Sequence, residues 1–371
     1  MTSRPKMLLV FDGGLAPGYT AVGVGMTEEG EERGYEVWAS HEGFRSLTGD
    51  TDQPIRLERV VMQLKDVFEL DRQNIHAQHM YRKIDDPGCD FRSERYREFR
   101  EAGKSQLAAR FIEEHGFTHV TFAGGDGTLA GAKAICEHLD KDIKVGFINC
   151  SADSDLAGDR SVGFLSALEE GARVARGLFE DAYTHKRHYI LEMMGNRGGK
   201  HALHCGCSAR AHLIVLPQMN LSDEILKDIA EQLSRESHSL TVIAEGYKKD
   251  ERRARFPGKS ASQQLAEDLA RFGLVDSPKK RVIAESFSRF IRGAPPLMME
   301  CELAYLKCQL LYKAFERGES RILAYYVGEH EHGTRPLAEV HTDNGVEPLF
   351  IDMIDRVGIP SLRKHAHEVY G

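Results

Sequence analysis

No apolar run in this 371-residue chain reaches the roughly 20 residues that a bilayer-spanning helix needs. The N-terminus passes from Met1 through Arg4 and Lys6 straight into a strand-like run, without the zones of an export signal. The expectation is therefore a cytoplasmic protein with no membrane partner. Basic bias is missing as well: the net charge is −8, which argues against a nucleic-acid partner. Paired cysteines at zinc spacing are also lacking. The 7 cysteines (Cys89, Cys136, Cys150, Cys205, Cys207, Cys301 and Cys308) are odd in number and scattered. Cys205 and Cys207 have no second pair, so all read as reduced thiols and a structural metal is not expected. Low-complexity tracts and solenoid-spaced repeats are absent.

What is present is an ordinary globular composition, 41% hydrophobic and 29% charged. The length suits two packed domains, or one large α/β domain with insertions. Strand-length apolar runs stand at 7–11, 35–39, 118–122, 143–148, 189–193, 213–216 and 240–244. Amphipathic helical stretches lie between them at 105–115, 129–138, 162–178 and 223–233. This alternation predicts an α/β fold with a mainly parallel sheet covered on both faces. The polar segments 80–100 and 248–262 read as surface loops or exposed helices.

Three loops follow predicted strands, where open α/β sheets place their ligands. The first, from Asp12 through Gly13, Gly14, Leu15, Ala16, Pro17 and Gly18, would let backbone N–H groups approach phosphate oxygens. A tight β–α turn is its plainer reading. The second runs Gly124, Gly125, Asp126, Gly127 and Thr128. A carboxylate inside a phosphate-cradling turn is unfavourable unless a cation lies between, so Asp126 implies Mg²⁺. Thr128 can cap the next helix or meet the ligand. The third runs Ser151, Ala152, Asp153, Ser154 and Asp155. Its two carboxylates form a plausible base and charge-orienting pair for a weakly acidic hydroxyl. Alone, such a loop is more often a solvated helix cap, and its position one β–α unit after the second loop is what favours the chemical reading.

These loops, in this order, resemble the phosphofructokinase family. The family's Gly-Gly-x-x-Pro-Gly turn is matched by Gly13, Gly14, Pro17 and Gly18, and its Gly-Gly-Asp-Gly loop by Gly124 to Gly127. Its Thr-x-Asp-Asn-Asp loop is matched by Ser151, Asp153 and Asp155, with Gly163 and Phe164 following. The resemblance implies that Asp153 is the general base, Asp155 supports metal or substrate, and Asp126 binds Mg²⁺. Arg95 would reach the transferring phosphate, with Arg100 in the same segment. Met194 and Gly195 would touch the sugar, and Glu245 its hydroxyls. Arg187, Arg281, Arg289 and Arg292 would face the acceptor phosphate, Arg187 across a subunit interface. Arginine suits this task because its fork binds phosphate oxygens in pairs.

The family layout further implies two domains with the active site in the cleft between them. The nucleotide domain would comprise 1–163 with 291–341, and the acceptor domain 164–290 with 342–371. The partners implied are a small phosphorylated substrate and further copies of the chain, as a homodimer or homotetramer.

The departures fall mostly on the acceptor side. Asn196 stands where Met-Gly-Arg has its arginine, with Arg197 one place late. Ser151 replaces Thr, Ser154 replaces Asn, and Arg289 stands where His or Tyr is common. Tyr19 and Thr20 replace the residues that usually follow the first turn. Gly127 favours ATP over pyrophosphate as donor, whereas Cys150 matches neither donor class. The sequence thus points to transfer from ATP to a hydroxyl of a sugar phosphate. Alternatives are another acceptor (nucleoside, inositol or other sugar), pyrophosphate as donor, or a non-catalytic ligand sensor. NAD kinases and diacylglycerol or sphingosine kinases share the Gly-Gly-Asp-Gly-Thr run, but lack the first turn and the Ser-x-Asp-x-Asp loop.

Overall fold

The computed structural model describes residues 4–49, 57–60, 84–85, 87–89, 91–342, 345–346 and 354. Most of the tail 342–371 and part of the segment 80–100 lie outside the described residues. In chain order the first elements are β1 (Lys6–Phe11), α1 (Tyr19–Glu32), β2 (Glu36–Ser40), α2 (Phe44–Thr48), β3 (Leu57–Val60), α3 (Lys104–Glu114), β4 (His119–Gly124), α4 (Asp126–Cys136) and β5 (Lys144–Asn149). Then come α5 (Phe164–His185), β6 (Arg187–Met193), α6 (Lys200–Ser208), β7 (Leu213–Val215), α7 (Asp223–Arg235), β8 (Ser239–Ala244), α8 (Lys249–Arg255), α9 (Ala261–Ala270) and β9 (Arg281–Ser286). Last are α10 (Met298–Glu316), β10 (Ile322–Gly328) and β11 (Glu331–Pro336).

The chain divides into two compact units, Met1–Ala167 with Arg292–Asp343, and Leu168–Ile291 with Asn344–Gly371. The first holds a sheet of order β11-β10-β5-β4-β1-β2-β3. Its interior pairs are parallel, and the outer pairs β10/β11 and β2/β3 are antiparallel. Strands β1, β4 and β5 are almost continuously apolar and buried, as a sheet covered on both faces requires. They also end level, with Phe11 opposite Ala123 and Gly124 opposite Asn149. Their following loops therefore emerge together at one edge.

Helices α1 and α10 pack closely in this unit. A β-carbon on Gly30 would stand 2.4 Å from Tyr312 Oη, and one on Gly25 3.0 Å from Cys308 Sγ. Helix α1 is buried around most of its circumference, and α10 seats the polar Glu300 and Lys307 on its buried face while exposing Met298 and Met299, so neither shows an amphipathic stripe in the sequence. Strands β3, β9, β10 and β11 likewise add to the strands expected. The segment 80–100 is not simply a surface loop: Phe91, Tyr96 and Phe99 are buried in the first unit's core.

The second unit holds a parallel sheet of order β7-β8-β6-β9. Helix α7 shows the expected periodicity, burying Ile225, Leu226, Ile229, Ala230 and Leu233, and Ser222 caps it by accepting from the Ile225 N–H. Helix α9 opens with a capping box formed by Ser260 and Gln263. Helix α8 falls within the expected polar segment 248–262, but its Arg252 is buried.

Candidate active site

The three loops at the ends of β1, β4 and β5 interlock. Asp12 donates its N–H to Ala123 O at 3.0 Å, and its own carbonyl accepts from Thr128 Oγ1 at 2.9 Å. Its carboxylate accepts from the Phe44 N–H at 3.2 Å and from Thr128 Oγ1 at 3.3 Å. A β-carbon on Gly124 would lie 2.2 Å from Thr128 Oγ1 and 2.5 Å from Asp12 O. On the other side, a β-carbon on Gly163 would meet Pro17 O at 2.1 Å, so the first loop also closes against the residues that follow the third. The two glycines are thus required by close backbone approach.

The third loop is held from within. Ser151 donates its N–H to Ser161 Oγ at 2.7 Å, and that hydroxyl lies 2.7 Å from Ser151 O and 3.1 Å from Asn149 Oδ1. Asp153 donates its N–H to Ser151 Oγ at 3.1 Å. Ser154 takes a left-handed φ of 49°, a conformation costly for a residue with a β-carbon and often concentrated at functional sites. Beyond the loop, Asp159 accepts from Lys307 Nζ at 2.7 and 2.8 Å, with both side chains fully buried. Glu300, also buried, accepts from the N–H groups of Leu165 and Ser166, both at 2.9 Å, and so holds the first turn of α5.

Carboxyl groups converge here. Burial pushes Asp155 up to about 7, and the charges of Asp126 and Asp153 add to the rise. Its Oδ1 is buried with no hydrogen-bond partner among the described residues. Gly125 lies alongside, where a β-carbon would be 3.1 Å from Ser151 Oγ and 3.5 Å from Asp155 Oδ1. Burial likewise pushes Asp12 up to about 7, against the hydrogen bonds from Phe44 and Thr128. Mutual repulsion with a buried, unpartnered oxygen is the donor chemistry that a hard cation relieves. Among the described residues no ready-made cluster of three metal-ligating side chains exists. Mg²⁺ does not require one, because it commonly takes one or two carboxylates and completes its shell with water and substrate phosphates. The residues therefore fit Mg²⁺.

Arg95 lies against the first loop. A β-carbon on Gly14 would come within 2.8 Å of its Nη2 and 2.9 Å of its Nε. The preceding residue fixes its position: Glu94 O accepts from the Gly13 N–H at 3.0 Å, and the Glu94 carboxylate pairs with Arg45 at 2.7 Å. Asp126 Oδ1 accepts from the Gly127 N–H at 2.6 Å, within the first turn of α4. Gly127 differs from its neighbours, since a β-carbon there would meet no heavy atom within 4 Å. Packing does not require glycine at this position.

The candidates in the second unit fall at opposite edges of its sheet. Met194, Gly195 and Asn196 follow β6, and Glu245 follows β8 beside them, donating its N–H to Met193 O at 2.8 Å. Arg187 and Arg281 are register partners at the starts of β6 and β9, away from that edge. Arg187 pairs with Asp181 at 3.1 Å and Arg281 with Asp276 at 2.8 Å. Arg289 is exposed beyond β9, whereas Arg292 belongs to the first unit, at the end of a short 3₁₀ turn, Phe290–Gly293. Asp12, Lys307 and Asp159 escaped the sequence reading as functional candidates. Asp12 had one signal, its place at a strand end before two glycines, whereas burial of the Lys307–Asp159 pair left none.

A parallel α/β sheet whose strand-end loops gather glycines and the acids Asp12, Asp126, Asp153 and Asp155 has the arrangement in which such sheets place phosphate ligands. The Phosphofructokinase family pattern matches residues 6–311, and the chain belongs to that family of sugar-hydroxyl kinases. Among its relatives is the ATP-dependent 6-phosphofructokinase 1 of Clostridium perfringens, 28% identical over 244 residues, covering 65% of this chain and 69% of that protein. The ATP-dependent 6-phosphofructokinase of Staphylococcus epidermidis is 26% identical over 278 residues, covering 73% and 75%.

Solved structures share the fold. Pichia pastoris phosphofructokinase in the T-state gives a TM-score of 0.71 at 21% identity, over 91% of this chain but only 35% of that one. The pyrophosphate-dependent phosphofructokinase of Nitrosospira multiformis gives 0.72 at 15% identity, over 96% and 92%. Among the described residues, no helix is long and apolar enough to cross a membrane.

Proposed function

We propose that this chain transfers the terminal phosphoryl group of ATP to a hydroxyl of a sugar phosphate, as a 6-phosphofructokinase does. The observation that carries the reading is the gathering of Asp155 with Asp126 and Asp153 beside Gly125. Asp153 would accept the proton of the attacking hydroxyl. Its N–H bond to Ser151 Oγ and the Ser161 bracket hold the loop in place for that transfer. Arg95, set against Gly14, would offset charge on the phosphoryl group in flight. Asp126 and Asp155 would hold Mg²⁺, which when bound offsets the charge of the phosphate oxygens.

ATP rather than pyrophosphate is supported by the open space at Gly127 and by the ATP-dependent names of the relatives above. On the acceptor side, Met194, Gly195, Asn196 and Glu245 would read the sugar. Arg187 and Arg281 start their strands rather than end them, so their proposed phosphate contact would be made to a neighbouring copy in a dimer or tetramer.

The test is coupled turnover with Mg²⁺ and either ATP or pyrophosphate, against phosphorylated sugars, free sugars and nucleosides. Turnover of fructose 6-phosphate with ATP is expected. Turnover of another acceptor alone would keep the mechanism and move the substrate. Nucleotide binding without turnover of any acceptor would overturn the reading.

A further inference from the structure

Helix α10 carries two charged side chains on its buried face, Glu300 and Lys307, about two turns apart. Both reach the segment 159–166, which returns from the third loop to the start of α5. Lys307 Nζ donates to the Asp159 carboxylate at 2.7 and 2.8 Å and to Arg160 O at 2.6 Å. Glu300 accepts from the N–H groups of Leu165 and Ser166 at 2.9 Å and from the Ser166 hydroxyl. That hydroxyl in turn accepts from the Leu297 N–H at 2.8 Å. Strand β10 adds a further hold. The Tyr326 N–H donates to Asp159 Oδ1 at 2.8 Å, and Tyr326 O accepts from the Arg160 N–H at 2.8 Å.

Between the two anchors stand Ser161 and Val162, which grip the third loop. Val162 bridges Cys150 in parallel, donates its N–H to Asn149 O at 3.0 Å and accepts from the Ser151 N–H at 3.0 Å. Ser161 Oγ accepts from the same Ser151 N–H at 2.7 Å and donates to Ser151 O at 2.7 Å. Ser151 Oγ then accepts from the Asp153 N–H at 3.1 Å. A chain of backbone and hydrogen-bonded contacts thus leads from a charge in the core to Asp153.

Stability alone does not call for charges on this helix face. Its other buried positions include Cys301, Ala304, Cys308 and Leu311, and a buried ion pair is often no more stabilising than apolar residues of the same volume. What such a pair does enforce is a single register, because any slip strands a charge. We propose that Lys307, with Glu300 as the second anchor, is a positioning residue that acts through Asp159, Ser161 and Ser151 to hold Asp153 where it meets the acceptor hydroxyl. The catalytic half of this rests on the reading of Asp153 as base given above, whereas the bracing of the loop does not.

The experiment compares the wild type with Lys307→Met and the double variant Lys307→Met/Asp159→Asn. The second change removes the stranded charge and keeps an oxygen for the Tyr326 N–H. The urea midpoint, the kinetics with ATP and fructose 6-phosphate, and hydrogen exchange over residues 150–162 are measured on each. The double variant should recover most of the midpoint lost by the single one. Its kcat should nonetheless stay down roughly 10–100-fold, the scale for misplacing a catalytic group by about 1 Å, while KM for ATP holds. Exchange at Ser151 and Asp153 should quicken roughly tenfold or more, with β1 and β4 as protected as in the wild type.

A double variant that recovers stability, turnover and loop protection together would overturn the proposal. If it does not fold, Glu300→Gln decides at the other anchor: faster exchange over 150–162 sustains the brace, and unchanged exchange overturns it. Loop exchange that depends on the pair in a wild type without turnover would keep the brace and sink the kinase reading.

Discussion

The Arg95 guanidinium lies so close over Gly14 that a β-carbon there would stand 3.2 Å from its Cζ. Gly14 has an ordinary backbone conformation, so alanine fits the chain and clashes only with the arginine. Gly14→Ala should lower kcat/KM for ATP about tenfold by displacing Arg95, with little change in melting temperature. Steady-state kinetics beside a thermal melt decide it: unchanged ATP kinetics would remove Arg95 from the phosphate.

Asp153→Asn keeps the shape of the loop and removes the base. Turnover should fall roughly 10²-fold or more while nucleotide affinity is retained. Comparable losses in both quantities would show a structural role instead.

The Asp155 carboxyl carries a pH signature whose sign follows from its raised value. Its native value of about 7 lies above the ordinary 3.8, so the folded state holds the proton more tightly than the unfolded chain. Its contribution to stability is fully present below 3.8 and is lost as pH rises through about 7. Metal-free protein should therefore melt progressively lower between these limits, and Asp155→Asn should flatten part of that slope. Added Mg²⁺ should stabilise the wild type more at pH 8 than at pH 6, because it binds the deprotonated site. A Mg²⁺ effect independent of pH would exclude Asp155 from the metal.

Gly127 sits on the first turn of α4 with open space beside it. Gly127→Ala should stabilise the fold by about 0.5–1 kcal/mol, as glycine-to-alanine changes do at helical positions. Gly127→Asp should depress ATP use far more than pyrophosphate use, since the carboxylate would enter the donor's space. Denaturant melts and paired donor assays test the two halves separately. Equal ATP kinetics in all three proteins would show that the donor does not pass this residue.

Lys307 and Asp159 form a fully buried ion pair. Lys307→Met leaves the Asp159 charge stranded and should cost about 3–5 kcal/mol, read as a shift in the urea midpoint. A loss under 1 kcal/mol would mean that the aspartate is protonated or reaches water in the variant.

Much of the fold was legible because β1, β4, β5, β6 and β8 are short continuous apolar runs, a pattern that buried parallel strands impose on sequence. Helices α1 and α10 were not, because α1 is buried on most sides and α10 buries Glu300 and Lys307 while exposing Met298 and Met299, and either blurs the stripe that reveals a helix. The segment 80–100 read as surface because its charges outnumber Phe91, Tyr96 and Phe99, which nonetheless reach the core. The phosphate loops were legible one by one, since each combines a strand end with glycine or paired acids.

What the sequence determined by itself is therefore local: which runs become strands, where backbone turns must be free of a β-carbon, and which residues have the chemistry for phosphate, proton and metal. Proximity and desolvation were decided only by the tertiary structure. The closeness of Arg95 to Gly14, the bond from Lys249 to Asn196 and the burial of Asp155 beside Asp126 all join residues distant along the chain or remove them from water. Charge interactions depend on separation in space and on the surrounding dielectric, and neither is a property of a residue's place in the chain.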